Sequence, residues 1–252
     1  MPEYHYIAFT GKTAAMDPDT ATAWEELLSC VRVWKWDPTA TPDAVYHQHW
    51  HWLSPAEQAR HEARKTAPAR AEYLAARMLT RSALSIHTGV DPAAWVFETN
   101  SSGKPAIAAP AEFIPLQFNL THTEGLMACA ITRVGPVGID LENMSLPVDI
   151  DSIARHFFSP REREQLMRVR PELRRRIFFR LWVVKEAYLK GRGTGLSESP
   201  ESFTIKLAYD GWPLPLEGWQ FRMHHPTPRY AAAVAVRSEA PVPVQWNRLP
   251  KF

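Results

Sequence analysis

Gly138-Ile139-Asp140-Leu141-Glu142 is the stretch on which the fold turns. In an extended segment side chains alternate between faces, so Ile139 and Leu141 enter a core while Asp140 and Glu142 stand together on the other side. Adjacent carboxylates repel, and a hard divalent cation with oxygen ligands is one way to hold them there; a solvated strand face is the other reading. Further along, Trp182-Val183-Val184-Lys185-Glu186 lies in a helix predicted over 171–190. Its Ile177, Leu181, Val184 and Tyr188 fall at i, i+4, i+7 and i+11, a core-facing stripe. Glu186 can add a third carboxylate, or can pair with Lys190 one turn away on the helix surface. Mg²⁺ sits on a few carboxylates and completes its shell with phosphate oxygens and water. A metal-assisted phosphate-transfer site is therefore the first expectation.

Working outward, strands are predicted at 116–120 and 126–132, joined by Thr121-His122-Thr123-Glu124-Gly125, with a third strand at 137–142. Residues 31–36 alternate as a strand that Asp37-Pro38 ends. Helices are predicted over 55–66 and 70–86, separated at Pro68. Ser159 reads as an N-cap, with Pro160 in the first helical position and Glu162 where a capping box places it. Gly191, Gly193 and Gly195 stop the long helix. Strands return at 203–207, 219–223 and 230–236, and Pro241, Pro243 and Pro250 mark a tail. Helices and strands do not alternate regularly enough for a doubly wound sheet, so the expected class is α+β. Each half offers strands plus a long helix, which predicts two similar αβ lobes, 1–132 and 133–252.

Composition excludes several classes. The 252 residues are 45% hydrophobic and include ten Trp, which suits a packed core and not a disordered chain. A net charge of +2 gives no global attraction to nucleic acid or membrane. Cys30 and Cys129 read as free thiols of a reducing compartment, with a single disulfide as the other reading. The opening MPEYHYIAFT has no basic or long apolar leader region, and no apolar run is long enough to cross a bilayer. A soluble, cytoplasmic protein is expected.

Basic residues suited to a polyanion lie upstream of the carboxylates. Arg60 and Arg64 are one turn apart, Arg70, Arg77 and Arg81 are spaced by seven and four, and Asn100-Ser101-Ser102-Gly103-Lys104-Pro105 is a turn displaying a lysine. Arginine forks onto phosphate, and lysine acts as a point charge; ordinary solvated arginines on a helix are the other reading, above all for Arg64 and Arg81. Residues 161–180 hold eight arginines against three glutamates, a solvated face or a dock for an acidic partner. His47, His49 and His51 alternate but lack a nearby Cys or an H-E-x-x-H pattern, so no zinc site is expected. The run 191–195 follows a helix instead of opening one, which reads as helix termination and not a phosphate loop.

Taken in series, these blocks resemble the Sfp-type 4′-phosphopantetheinyl transferases. The blocks are Leu53-Ser54-Pro55 with Arg60; Arg70 through Arg77 to Arg81; Gly103-Lys104-Pro105; Phe118-Asn119-Leu120-Thr121-His122; Gly138 to Glu142; Ile153 to Ser159; and Leu181 to Lys190 with Gly195-Leu196. The resemblance implies a pseudo-twofold pair of lobes, each a small antiparallel sheet with a long helix, and coenzyme A and Mg²⁺ in the cleft between them. It implies Asp140, Glu142 and Glu186 as metal ligands. Lys104, Thr121, His122, Lys185 and Lys190 would line the coenzyme A pyrophosphate and cleft, and Arg60, Arg70 and Arg77 its 3′-phosphate and adenine end. The implied reaction transfers 4′-phosphopantetheine from coenzyme A to a serine of an apo acyl, peptidyl or aryl carrier protein that docks through an acidic helix. Glu186, Glu162, Lys185 and His122 are the implied catalytic group, and the proton acceptor is Glu162, Glu186 or a metal-bound water; Glu162 is equally accounted for as a cap. A monomer is implied, because the second lobe supplies what a neighbouring subunit gives smaller relatives. The chain departs from the pattern at Thr121-His122-Thr123, where many relatives have Ser-His-Ser, at Glu124, which must point away from the pyrophosphate, and at Ala71, where some place a hydroxyl. The alternative function is a non-catalytic module that binds coenzyme A or an acidic protein.

Overall fold

The computed structural model describes residues 16–250 and 252, so the opening MPEYHYIAFT lies outside the described residues. In chain order the elements are α1 (Pro18–Glu26), β1 (Val31–Trp36), α2 (Asp43–Gln48), α3 (Pro55–Glu62), α4 (Ala67–Thr88), β2 (Val96–Thr99), β3 (Pro105–Ala109), β4 (Gln117–Thr123), β5 (Leu126–Thr132), β6 (Val137–Asn143), α5 (Ile150–Phe157), α6 (Pro160–Arg168), α7 (Pro171–Arg192), β7 (Trp219–His224), β8 (Tyr230–Arg237) and β9 (Val244–Arg248). The first sheet runs β4-β5-β1-β9, antiparallel except where β9 lies parallel to β1. The second is antiparallel, in the order β6-β8-β7, and β2 and β3 form a separate hairpin.

Strand alternation sorts side chains between two sides of each sheet. In β1, Trp34 and Trp36 join Leu74, Met78 and Leu79 of α4, while Val31 and Val33 face away. In β5, Met127, Cys129 and Ile131 go to α4, and Ala128 and Ala130 face away. Those away-facing residues meet Val137 and Ile139 of β6 and Val234 and Val236 of β8. The far side of β8, with Ala231, Ala233 and Ala235, packs with Leu181, Val184 and Ala187 of α7. The layers therefore stack as α4, first sheet, second sheet, α7, a mixed α+β arrangement. At one point strand and helix touch backbone to backbone: a Cβ on Gly138 would fall 2.0 Å from the Ala187 carbonyl oxygen. The edges β4 and β6 are tied by Asn119 Oδ1, which accepts from the Ile139 amide at 2.9 Å.

The structure corrects several expected elements. The stretch 203–207 is not a strand: its backbone serves side chains instead, with the Phe203 carbonyl accepting from Lys185 and the Ile205 amide donating to Glu162. The first predicted helix stops at Glu62, and Pro68 lies in the first turn of α4, where a missing amide costs nothing, with Thr66 as its N-cap. Strand β4 continues to Thr123, so Thr121 and His122 stand on a strand and not in the turn. The expected tail contains β9, which returns from the end of the chain to the edge of the first sheet. Among the described residues no helix is long and apolar enough to cross a membrane. Both cysteines are free and buried.

Candidate active site

Where β6 and α7 meet, four charged side chains gather. Asp140 and Glu142 share the face of β6 that holds Gly138, and Glu186 and Lys190 come from α7 one turn apart. The Lys190 ammonium lies 2.6 Å from Asp140 Oδ1 and 3.4 Å from the Thr121 hydroxyl, which itself donates to Asp140 Oδ1 at 3.3 Å. Trp182 Nε1 donates to Glu142 Oε1 at 3.0 Å. Trp182, Glu186 and Lys190 thus form one row at i, i+4, i+8, and that spacing is the sequence signal for Trp182 as a site residue.

The electrostatics are unbalanced, with three carboxylates facing one ammonium. Burial raises the Glu142 carboxyl above its ordinary range and Asp140 adds to this. Glu186 is raised by burial and then by Asp140 and Glu142. Burial opposes the charge on Lys190, but Asp140, Glu186 and Glu142 outweigh it and hold the ammonium charged. Asp140 is 3% exposed, and its second oxygen Oδ2 is buried without a hydrogen-bond partner. As the side chains stand, no group of three or more His, Cys, Asp or Glu among the described residues is arranged to hold a metal ion. The donor set is nonetheless hard, anionic and short of positive charge, with an acceptor left open on Asp140. It fits a hard divalent cation that takes part of its shell from water and ligand oxygens.

On the opposite face of β4, with Phe118 and Leu120, His122 looks toward α4, where its Nδ1 is 3.6 Å from Glu72. Next to Glu72, the Tyr73 ring has the guanidinium carbons of Arg64 and Arg77 at 4.6 and 5.2 Å from its centre. Arg77 is also 3.6 Å from Glu57, and Arg70 donates to the Arg64 carbonyl at 2.9 Å. Arg60 is exposed nearby and bears on the Tyr73 hydroxyl, which is buried without a partner. Arg81, which sequence spacing groups with Arg77, is 1% exposed; it ion-pairs with Glu57 and donates to the Pro92 and Trp95 carbonyls, a core role.

Three more expected site residues stand apart from the carboxylates. Lys185 and Glu162 are buried together, with Lys185 Nζ 2.9 and 2.8 Å from the two Glu162 oxygens and bonded to the Phe203 carbonyl. Glu162 is 0% exposed and also accepts from the Ser159 and Ile205 amides, so its oxygens are fully occupied by the cap, Lys185 and the following segment. Lys104 turns its amine to the Val137 and Gly191 carbonyls. Glu124 pairs with Arg229 at 2.9 Å, which gives the extra acid of the turn a partner of its own.

A family model described as the 4′-phosphopantetheinyl transferase superfamily matches residues 136–235. The 4′-phosphopantetheinyl transferase HetI of a Nostoc species is 36% identical over 182 residues, 71% of this chain and 76% of that protein. A 4′-phosphopantetheinyl transferase of Bacillus subtilis is 39% identical over 134 residues, 53% of this chain and 57% of that protein. Among solved structures, a holo-[acyl-carrier-protein] synthase of Thermotoga maritima covers 42% of this chain and 64% of its own, at 23% identity and a TM-score of 0.34.

Proposed function

This chain belongs to the 4′-phosphopantetheinyl transferase superfamily, and we propose that it moves 4′-phosphopantetheine from coenzyme A to a serine of an apo acyl, peptidyl or aryl carrier protein. The serine oxygen attacks the β-phosphorus, the phosphoanhydride bond breaks, and adenosine 3′,5′-bisphosphate leaves. The gathering of Asp140, Glu142 and Glu186 around one ammonium carries this reading. Asp140, Glu142 and Glu186 would hold Mg²⁺, which when bound offsets charge growing on the phosphoryl oxygens. Lys190, with the Thr121 hydroxyl 3.4 Å away, would take a pyrophosphate oxygen. His122 contributes a ring nitrogen from the other face of the same strand. Arg60 and Arg77, beside the buried Tyr73, and Arg70, bonded to the Arg64 carbonyl, suit the 3′-phosphate, since guanidinium forks match phosphate oxygens. Glu186 is our choice as proton acceptor, because it is partly exposed while Glu162 is sealed.

We further read the chain as two pseudo-twofold lobes, 1–132 and 133–252, acting as a monomer in the cytoplasm. In support, each larger sheet is covered by one 22-residue helix, α4 or α7.

The test is an intact-mass measurement on apo carrier protein incubated with this chain, coenzyme A and Mg²⁺. The expected gain is one phosphopantetheine, lost on chelation, and Asp140→Asn should lower the rate by roughly a hundredfold or more. No gain across acyl, peptidyl and aryl carriers sinks the proposal. The second reading, coenzyme A binding without turnover, is favoured by one observation: Lys190 already neutralises Asp140. It predicts coenzyme A binding that chelation does not change, with no mass gain.

A further inference from the structure

We propose that Lys104 is a positioning residue: with Asn100 and Ser102 it clamps the end of α7 to the start of β6, and so sets Lys190 and Glu186 opposite Asp140 and Glu142. This rests on reading those four residues as the transfer site. It departs from the resemblance at Lys104, which the family pattern puts among the residues lining the coenzyme A pyrophosphate and cleft.

The last carbonyls of a helix have no partner within it. Helix α7 closes on Gly193, in the left-handed conformation at φ 67°, whose amide bonds the Leu189 carbonyl at 3.0 Å. One turn, between β2 and β3, supplies donors for the carbonyls beyond. Lys104 Nζ donates to Gly191 at 2.7 Å, Asn100 Nδ2 to Gly193 at 3.0 Å, and the Ser102 hydroxyl to Thr194 at 3.0 Å. The ammonium also meets the negative end of the helix dipole. The same Nζ reaches the Val137 carbonyl at 3.0 Å, so one side chain joins the two elements that carry the site. It does so where they already touch: Val137 precedes Gly138, whose added Cβ would lie 2.3 Å from the Gly191 amide nitrogen. Gly191 in turn follows Lys190.

The turn is built to present these donors. Asn100 Oδ1 accepts from the Ser102 and Lys104 amides at 3.0 and 2.8 Å, and Gly103 takes a φ of 83°. The fit leaves little room, since a Cβ on Gly193 would fall 2.9 Å from Lys104 Cδ. Burial draws the Lys104 amine down to about 8, in keeping with an ammonium turned into the protein.

The test combines steady-state kinetics, with coenzyme A varied and apo carrier protein in excess, and hydrogen exchange of the amides of 186–193. Wild type is compared with Lys104→Met, Asn100→Ala and Ser102→Ala in the full chain. The clamp predicts a kcat about tenfold or more lower for Lys104→Met, with KM for coenzyme A within about twofold, and faster exchange at the end of α7. The other two variants should show smaller changes in the same sense, and they carry the test if Lys104→Met fails to fold. A rise of about tenfold in KM with kcat unchanged would mark a ligand contact and overturn the clamp. So would unchanged exchange. If wild type transfers nothing, the transferase reading fails, and exchange in the variants still decides the clamp.

Discussion

His87 shows how much a single buried side chain can bind stability to pH. It is 3% exposed and its Nε2 accepts from Trp34 Nε1 at 3.0 Å, a bond only the neutral ring can make. Burial lowers its pKa from 6.5 to about 4. Between those values the unfolded chain binds the proton and the folded chain does not. The stabilisation is therefore complete above about pH 6.5 and is lost as pH falls toward 4, by up to about 3 kcal/mol. Denaturant midpoints between pH 7.5 and 4.5 should fall more steeply for wild type than for His87→Gln, and parallel profiles would refute the assignment. Nothing at position 87 announces this in the sequence, because the partner, Trp34, is supplied by a distant strand. Asp140 and Glu142 were legible, since alternation is a local rule. Lys190 as the partner of Asp140 was not, because i, i+4 spacing pairs it equally well with Glu186.

At the level of elements, α6 separates what spacing can say from what it cannot. Ser159, Pro160 and Glu162 form the capping box that their order predicts. The same Glu162 also neutralises the buried Lys185 of α7 and fixes the backbone at Ile205. Glu162→Ala would leave a buried ammonium unpaired and should cost about 3–5 kcal/mol. Glu162→Gln keeps a capping acceptor, and its transfer rate per folded molecule should stay within a few-fold of wild type. A general base would instead show a loss of roughly 10²–10⁴. Measuring folded fraction and rate together separates the two. The expected strand at 203–207 failed for a related reason: its hydrophobic alternation is real, but its amide and carbonyl groups are taken by Glu162 and Lys185.

Across the whole molecule, the core under α4 and the core under α7 are joined by an apolar layer that the two sheets share, of Val31, Val33, Val137, Ile139, Val234 and Val236. Strand β9 adds a second tie, pairing Val244 through Arg248 with β1. Removing residues 244–252 would bare the long edge of β1, and the truncated chain is expected to melt at lower temperature and aggregate. Calorimetry and light scattering check this, and an unchanged melting temperature would show the tie to be dispensable. Taken alone, the sequence determined the α+β class, the long helices, the central strands and the two carboxylates of β6, because each follows from periodicity or capping between near neighbours. The tertiary structure alone decided that Lys190 faces Asp140, that Lys185 and Glu162 retire into a core, that Lys104 grips a helix end, and that the tail returns as a strand. Those outcomes depend on which distant donors and acceptors come within reach once the layers pack, and no local spacing encodes that.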